Sequence, residues 1–596
     1  MPHKFVDQKP KNTRFAVKSF IKSLGKFRFT IVLSLTFALI ANILNLFSPK
    51  IIGNMTNSAV ESVSTTGTLD FAPIKQSLIF LIVIIAVVAI LSYFESFLLA
   101  RTTAHYTRSL RSQIIQKIAR LPISYFDKHQ FGDTLSILSN DVDALWNALT
   151  EGLTQIITSL TTIIGCLVMM IIISPLLALV AVVVVPLAIF TLSKIIKRAQ
   201  SHFVSQRKVL GQLNARIEED YSGQLIIKSN SHESASFAEF QLANQKLYED
   251  SWKAQFLGSL AFPFVHFFTN LGYVAVCVLG GQMVLNGTLL IGGVQAFIQY
   301  LSRFNHPLST LSEIVATIEQ TLAAAERVFT FLNEPEESPD PEPSRKVKKV
   351  QGAVEFHDVS FSYDKKRPVI NHFSVKVNPG EQVAIVGPTG AGKTTIINLL
   401  MRFYDPDSGY ITIDGVPTRE MKRSDVRALF GMVLQDTWLF SGSIKDNLKY
   451  GNSSATLKEL KKATSAANID HLIESMKGGY NAEINEDSDN ISAGEKQLLT
   501  IARAMVENPP MMILDEATSN VDTRAEALIQ EAFNKLTHGR TSFVIAHRLS
   551  TIRNANLILV MKDGAIVEQG THAELLKQNG FYAELYNSQF APKNNA

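Results

Sequence analysis

The first half of the chain carries six apolar stretches, each long enough to cross a lipid bilayer. A transmembrane helix needs about 20 consecutive, mainly apolar residues, and buried helices of soluble proteins are seldom so long and so apolar. The stretches cover residues 29–52, 74–99, 149–174, 176–192, 256–285 and 289–318. The sequence therefore predicts an all-α membrane domain of six spans, in contact with the lipid bilayer.

The composition indicates that the membrane domain is only part of the chain. Charged residues make up 18% of the sequence, too few for an ordinary soluble protein and too many for one that is membrane throughout. A run rich in proline and acid near residue 335 can neither continue a helix nor build a core. The predicted division is a basic N-terminal segment 1–28, a membrane domain 29–332, a linker 333–350 and a second domain 351–596.

Lysine and arginine residues predict how the spans are oriented. They are frequent in the first 28 residues, in the connection between spans two and three, and in the connection between spans four and five. The segment 53–73, between the first two spans, has none. Because cytoplasmic loops carry the excess of positive charge, both termini and both long connections should lie in the cytosol. Each long connection has helical periodicity, so we expect helices that extend well beyond the bilayer.

A phosphate-binding loop follows an apolar strand in the second half. The segment Gly387–Thr395 fits the pattern GxxxxGK[ST], after the strand 382–386 and before a helix at 395–403. In this context Lys393 reaches the β- and γ-phosphates and Thr394 binds Mg²⁺, and a simple glycine-rich turn is disfavoured. The predicted ATP-binding residues of the loop are Gly387, Pro388, Thr389, Gly390, Ala391, Gly392, Lys393, Thr394 and Thr395.

Two acidic residues follow a second apolar strand. Residues 511–514 read Met-Met-Ile-Leu and are followed directly by Asp515 and Glu516. A strand that delivers carboxylates at its C-terminal end is what a phosphate-loop ATPase needs. Asp515 would orient the Mg²⁺ shell, and Glu516 would position or polarise the attacking water. The sequence thus predicts an α/β ATPase domain that uses ATP and Mg²⁺.

The second half resembles the nucleotide-binding domain of ATP-binding cassette (ABC) transporters over about residues 354–585. The resemblance implies that Tyr363 stacks on adenine and that Gln435 touches Mg²⁺. It also implies that the loop ending at Asp522 crosses to a partner subunit and that His547 lies at the γ-phosphate. The implied catalytic residues are Glu516, His547 and Gln435, and the implied Mg²⁺ ligands are Thr394, Gln435 and Asp515.

The first half is similar to exporters of the same superfamily. Phe126-Asp127, with Gly132-Asp133 and Asn140-Asp141-Val142 after it, resembles the first cytosolic coupling turn, and residues 223–233 resemble the second. The resemblance implies a type I exporter-like membrane domain with long cytosolic helix extensions, followed by a P-loop ATPase domain, in a bacterial cytoplasmic membrane. A soluble ATPase of DNA repair or translation would lack six spans, so no nucleic-acid partner is expected.

One motif departs from the family. The signature, usually LSGGQ, reads Ile491-Ser492-Ala493-Gly494-Glu495, and the family's signature closes over ATP held by the other subunit. A carboxylate about 6 Å from a phosphate charge costs roughly 2–3 kcal/mol at an effective dielectric near 20. Alternatively, Glu495 simply suits the first turn of a helix. The first interpretation predicts a heterodimer with a second half-exporter, in which Ser492, Ala493, Gly494 and Glu495 face the partner's ATP and that site hydrolyses poorly.

The substrate is less visible in the sequence. Phe297, Tyr300 and Phe304 share one helical face and fit either helix packing or a substrate wall. Glu95 and Glu151 are membrane-proximal carboxylates that fit either a cationic substrate or the interface. The expected function is ATP-driven export of amphipathic or hydrophobic small molecules (multidrug efflux), and the alternative is a lipid or peptide exporter that works as a homodimer.

Overall fold

A computed structural model describes residues 10, 12–365, 367–435, 437–485, 490–515, 523–546 and 549–589, with the backbone alone at 66, 181, 185, 188, 189, 261, 262, 265, 305, 306, 308–313, 315, 316 and 550. The chain forms two compact units. The first comprises Met1–Leu121 and His129–Glu336, and the second comprises Pro122–Lys128 and Glu337–Ala596. The short segment Pro122–Lys128, although it lies between two long helices of the first unit in the sequence, packs with the second.

The first unit is helical throughout its described part. Its helices are α1 Thr13–Leu24, α2 Arg28–Asn45, α3 Ser48–Thr66, α4 Ala72–Arg120, α6 Phe131–Ile173, α7 Pro175–Ser222, α8 Gln224–Ser229, α9 Glu233–Ser259, α10 Ala261–Leu285 and α11 Ile291–Leu332, while α5 Ile123–Lys128 belongs to the second unit. Helix α6 contains two π-helical turns, Ile137–Asp141 and Ala148–Gly152. The predicted break after the third span lies at Ser174, whose hydroxyl accepts a hydrogen bond from the Leu177 N–H at 3.3 Å and caps α7.

Four helical stretches of the described residues are long and apolar enough to cross a membrane. They are Thr13–Thr65, Ala72–Arg120, Phe131–Ile173 and His266–Leu285, and Pro175–Val184 is a shorter apolar stretch at the start of α7. The predicted sixth span lies in α11, where many side chains between 305 and 316 fall outside the description. Helix α4 has 49 residues. At 1.5 Å per residue it is about 73 Å long, well beyond the hydrocarbon core of about 30 Å.

The aromatic residues of α11 pack inside the first unit. Phe297, Tyr300 and Phe304 are all buried, in a cluster with Cys166 and Met170 of α6. The Tyr300 hydroxyl donates a hydrogen bond to the Leu46 backbone carbonyl at 2.5 Å. Within this chain the aromatic stripe is therefore buried between helices, as the first of its two interpretations, helix packing, predicts.

Two further contacts hold α11 against other helices of the first unit. The Arg327 guanidinium donates to both carboxylate oxygens of Asp141, at 2.9 and 2.5 Å, and so joins α11 to the first π-helical turn of α6. Gly292 lies so close to Gly53 of α3 that a Cβ atom on Gly292 would sit 1.8 Å from the Gly53 carbonyl oxygen. The backbones of α3 and α11 can therefore meet only because both residues are glycine.

The second unit is an α/β domain. Its strands are β1 Val354–Phe361, β2 Ile370–Val377, β3 Gln382–Val386, β4 Ser408–Ile413, β5 Val416–Pro417, β6 Phe430–Val433, β7 Gly442–Ser443, β8 Glu483–Ile484, β9 Met511–Asp515, β10 Thr541–Ile545, β11 Leu557–Lys562 and β12 Ala565–Gly570. Its helices after α5 are α12 Lys393–Leu400, α13 Arg423–Arg427, α14 Ile444–Leu448, α15 Leu457–Ala466, α16 Asp470–Ser475, α17 Ala493–Glu507, α18 Thr523–Thr537, α19 Leu549–Asn554, α20 His572–Gln578 and α21 Phe581–Gln589.

Two main sheets organise this unit. One has the order β2-β1-β4-β5 and the other the order β12-β11-β3-β10-β9-β6. The strand predicted at 382–386 has these bounds in the structure, and the loop's helix begins at Lys393, two residues earlier than expected. The central strands of the larger sheet are almost entirely buried, which explains why they read as continuous apolar runs.

The predicted linker is anchored to the second unit. The buried Arg423 guanidinium donates to the Ser338 carbonyl at 2.7 Å and to the Asp340 carboxylate at 3.2 Å. Arg427 pairs with Glu337 at 3.2 Å. Residues Glu337, Ser338 and Asp340 of the linker are therefore fastened to the second unit by charged contacts.

Candidate functional site

The larger sheet brings distant parts of the sequence to one edge. Strands β3, β10, β9 and β6 are parallel neighbours, and Ile545 of β10 is aligned with both Ile385 of β3 and Asp515 of β9. The carboxyl ends of parallel strands point to the same edge of a sheet, where ligands of open α/β folds bind. The phosphate loop after β3, Asp515 at the end of β9 and Gln435 after β6 therefore meet at this edge.

The phosphate loop depends on two glycines. Gly392, at the N-terminus of α12, has φ +96°, a left-handed conformation that residues with a side chain rarely adopt. A Cβ atom on Gly387 would lie 2.4 Å from the Met561 carbonyl oxygen, so only glycine lets the loop pass β11. The result is a tight turn that leads into a helix N-terminus, a geometry suited to phosphate groups.

Lys393 lies across the loop. Its ammonium group donates hydrogen bonds to the carbonyl oxygens of Gly387, at 2.7 Å, and Pro388, at 3.1 Å. Burial lowers the pKa of Lys393, and the negative charge of Asp515 opposes this shift. The Lys393 ammonium group is thus held against the loop backbone, close enough to Asp515 to feel its charge.

Tyr363 is fixed beside the loop's helix. Its hydroxyl group lies 3.3 Å from the Thr395 hydroxyl oxygen and 3.1 Å from the Asn398 side-chain nitrogen, and both partners belong to α12. The Tyr363 ring packs edge-on against Tyr404, with ring centroids 5.0 Å apart. The aromatic residue expected to stack on adenine is therefore tied to the phosphate-binding helix.

Three predicted site residues lie outside the described residues: Glu516, Asp522 and His547. Glu516 follows the described Asp515 directly in the chain, and His547 follows Ala546 at the end of β10. Across the described residues, no group of three or more His, Cys, Asp and Glu side chains could hold a metal ion. Thr394, Gln435 and Asp515 offer oxygen atoms of the kind that Mg²⁺ prefers, and Mg²⁺ usually takes only a few protein ligands beside phosphates and water.

The altered signature forms a reciprocal helix cap. Ser492 is the N-cap of α17, and its hydroxyl accepts a hydrogen bond from the Glu495 N–H at 3.4 Å. The Glu495 carboxylate accepts hydrogen bonds from the Ser492 N–H at 2.8 Å and from the Ser492 hydroxyl at 2.6 Å. Glu495 therefore does suit the first turn of its helix, and in doing so it also takes up the donors of Ser492.

The sequence did not single out Tyr404 and Asp407, which also shape this site. The Asp407 carboxylate accepts a hydrogen bond from the Ser362 N–H at 2.8 Å, directly before Tyr363. The Tyr404 hydroxyl donates a hydrogen bond to the Asp127 carboxylate of α5. Both residues lie in the segment Tyr404-Asp405-Pro406-Asp407, which has the composition of an ordinary turn, so their contacts could be found only in the folded chain.

The first unit contains a separate apolar cavity. It has a volume of about 150 Å³, and its lining combines α1, α6 and α11. Gln155, Thr317 and Thr321 supply its polar side chains. Thr154, between two cavity-lining residues of α6, donates a hydrogen bond through its hydroxyl to the buried Glu95 carboxylate of α4 at 2.9 Å, whereas Glu151 is exposed.

Comparison with known proteins agrees with these features. The family model of the ABC transporter transmembrane region matches residues 31–308, and that of the ABC transporter matches residues 370–519. The fatty acid ABC transporter ATP-binding/permease protein of Mycobacterium bovis is 46% identical over 517 residues, which cover 87% of this chain and 82% of that protein. The ATP-dependent lipid A-core flippase of Syntrophus aciditrophicus is 35% identical over 500 residues, covering 84% of this chain and 83% of that protein.

A solved structure extends the likeness to the fold of the whole chain. The structure of a bacterial Atm1-family ABC exporter with ATP bound matches with a TM-score of 0.72 and 27% sequence identity. The match covers 96% of this chain and 99% of that one. This chain therefore belongs to the ABC transporters, as an exporter half-transporter that carries a helical transmembrane region and an ATPase domain in one polypeptide and couples ATP hydrolysis to transport.

Proposed function

We propose that the chain exports amphipathic or hydrophobic small molecules across the cytoplasmic membrane, as in multidrug efflux. The observation that carries this proposal is the apolar cavity of the first unit, whose wall includes Phe20, Leu153, Ile156 and Ile318. Its volume of about 150 Å³ is smaller than a whole drug-sized site, and its mainly apolar lining with a few polar groups suits one part of an amphipathic ligand. Gln155, Thr317 and Thr321 would bind a polar end of such a molecule.

A lipid is the second candidate substrate. It is favoured by the names of the two relatives, one a fatty acid transporter and the other a lipid A-core flippase. A fatty acid also combines an apolar body with one polar end, so the cavity suits this class as well. The two candidates differ in charge, since many amphipathic drugs are cations and a fatty acid is an anion at neutral pH.

The proposed ATP site uses the residues at the sheet edge. Lys393 and the backbone of Gly387–Thr395 hold the phosphates, and Tyr363 receives the adenine base. Thr394, Gln435 and Asp515 hold Mg²⁺, which neutralises charge on the phosphate oxygens when it is bound. Glu516 positions the attacking water and His547 contacts the γ-phosphate, as the family resemblance implies.

We also propose a dimer with a second half-transporter, with Asp522 in the loop that reaches the partner subunit. Support comes from the departure at Ala493 and Glu495 together with the cap on α17. Because the Ser492 hydroxyl donates to Glu495, it is not available in this geometry to donate to a phosphate oxygen. The ATP site completed by this chain's signature would then hydrolyse slowly, and the site built on Lys393 and Glu516 would be the faster one.

Transport into vesicles tests the substrate class. The purified transporter is reconstituted into liposomes, and ATP-dependent uptake is measured for a cationic dye, Hoechst 33342, and for a fluorescent long-chain fatty acid. ATP-dependent uptake of the dye supports multidrug export, and uptake of the fatty acid alone supports the lipid candidate. If neither probe is taken up while ATP is hydrolysed, the proposed substrate class is wrong.

A pair of variants connects transport to the cavity. Ile156→Trp would place a larger side chain in the cavity wall and should reduce uptake at least fivefold, because the bulky ring narrows the space left for a ligand. The matched control is Ile172→Trp on the same helix, at a residue that is 59% exposed. Equal uptake by both variants would show that the cavity does not receive the substrate.

A further inference from the structure

Tyr404 connects two parts of the second unit that are far apart in the sequence. Its hydroxyl donates a hydrogen bond to the carboxylate of Asp127, which lies in α5, between the long helices α4 and α6. Its ring packs against Phe361, with centroids 5.3 Å apart, and edge-on against Tyr363, at 5.0 Å and 89°. A single side chain therefore contacts both a turn that extends from the membrane helices and the aromatic residue beside the phosphate loop.

The orientation of Tyr363 depends on contacts around it. Thr395 and Asn398 of α12 hold its hydroxyl, and the Asp407 carboxylate fixes the backbone just before it. Against its ring, Tyr404 and Phe361 supply edge-to-face contacts, a geometry that aromatic pairs prefer. Tyr363 itself remains 40% exposed, so part of its ring is open to a ligand.

The Tyr404 hydroxyl stays protonated and can therefore keep donating its hydrogen bond to Asp127. Burial raises the pKa of Tyr404 well above its ordinary range, and the neighbouring Asp127 carboxylate raises it further. The phenol therefore keeps its proton at neutral pH and donates a hydrogen bond to the carboxylate. Hydrogen bonds with a charged partner are stronger than those between neutral groups.

We propose that Tyr404 is a positioning residue for ATP. Its ring orients Tyr363 toward the base, and the hydrogen bond from its hydroxyl to Asp127 holds the Tyr404 ring in place. The position of α5, which carries Asp127, would then influence how tightly the base is held. This inference rests on the proposed function, in which Tyr363 receives adenine. It assigns a role to two residues that lie outside the phosphate loop, the signature and the acidic pair.

The test compares ATP with a ligand that has no base. Dissociation constants of ATP and of inorganic tripolyphosphate are measured on the purified full-length transporter by displacement of a fluorescent nucleotide. Asp127→Ala and Tyr404→Phe should each weaken ATP binding about fivefold, an effect the size of one ordinary hydrogen bond, because only part of the lost hydrogen-bond energy acts on the orientation of Tyr363. Both variants should leave tripolyphosphate binding unchanged. The double variant should be no weaker than either single variant, because both remove the same hydrogen bond.

Controls separate this inference from the proposed base site. Asp133→Ala removes an exposed acid six positions further along the chain and should leave ATP binding unchanged. Tyr363→Ala should weaken the binding of ATP but not that of tripolyphosphate. If it weakens the binding of neither ligand, the proposed base site is wrong. If Tyr363→Ala weakens ATP binding while Asp127→Ala does not, the proposed role of Tyr404 in connecting Asp127 with Tyr363 is wrong. Additive effects in the double variant, or an equal loss of tripolyphosphate binding, would also overturn the proposal.

Discussion

Glu495 and Ser492 form a closed pair at the start of α17, in which each side chain bonds the backbone N–H of the other. The shortest contact, 2.6 Å, runs from the Ser492 hydroxyl to the Glu495 carboxylate. A capping box of the same kind occurs at α20, where Thr571 is the N-cap and its N–H donates a hydrogen bond to Glu574. The charge that distinguishes this chain's signature is thus part of an ordinary helix cap, and at the same time it stands at a helix N-terminus, where anions bind.

Glu495→Gln separates the cap from the charge. Glutamine can form the same reciprocal cap, so thermal stability should be nearly unchanged, while the negative charge is lost. Nucleotide retention by the ATP site that receives this signature should increase by about tenfold or more, given a repulsion of roughly 2–3 kcal/mol. The measurement is retention of labelled ATP by the purified dimer.

Glu574→Gln is the matched control for this prediction. It makes the same chemical change in a capping box of the same kind at α20, whose N-cap is Thr571, and should not alter nucleotide retention. Ser492→Ala should instead lower the free energy of unfolding by about 1 kcal/mol, the usual loss at an N-cap. Unchanged retention in Glu495→Gln would remove the electrostatic reason for unequal ATP sites.

Glu516→Gln should uncouple ATP binding from hydrolysis. Glutamine keeps the shape of the side chain but cannot act as the catalytic carboxylate, so ATPase activity should fall at least about tenfold. ATP binding should persist, and cross-links between the ATPase domains of the two subunits should increase with ATP. Normal turnover in the purified complex would show that another residue activates water.

Lys393 should make ATP binding sensitive to alkaline pH. Burial places the pKa of Lys393 below its ordinary value of 10.5. Only the charged form attracts phosphate, so affinity should be complete below the shifted pKa and should decline as the pH rises through it. Binding of ATP measured from pH 7 to pH 10 checks this, and Lys393→Arg should abolish the decline because arginine stays protonated.

The Asp141–Arg327 pair should contribute to the stability of the first unit. Asp141 is buried and Arg327 is about one third exposed. Asp141→Asn leaves the Arg327 charge without its partner. After allowance for the exposure of Arg327, the free energy of unfolding should fall by about 2–3 kcal/mol, measured as a lower Tm in detergent. The control is Asp143→Asn, which breaks the exposed Arg111–Asp143 pair and should cost less than about 1 kcal/mol. Equal losses in both variants would contradict the prediction.

Local patterns in the sequence were sufficient for the class of fold and for the chemistry of the ATP site. Apolar runs of transmembrane length predict membrane helices, because the bilayer leaves the backbone almost no other regular structure. The phosphate loop needs glycines at fixed spacings, so its residues are readable wherever a strand and a helix flank it. In both cases the physical requirement is met by residues adjacent in the chain.

Only the tertiary structure decided the relationships between distant residues. Asp127 and Tyr404 are 277 positions apart, and nothing in either neighbourhood indicates the other. Similarly, a helical stripe such as Phe297, Tyr300 and Phe304 has the same spacing whether it packs inward or faces a ligand, and it is burial that shows it packed. Glu495 is compatible in sequence with either a cap or a free charge. The direction in which a side chain points depends on which elements pack beside it, and that depends on contacts formed across the whole fold.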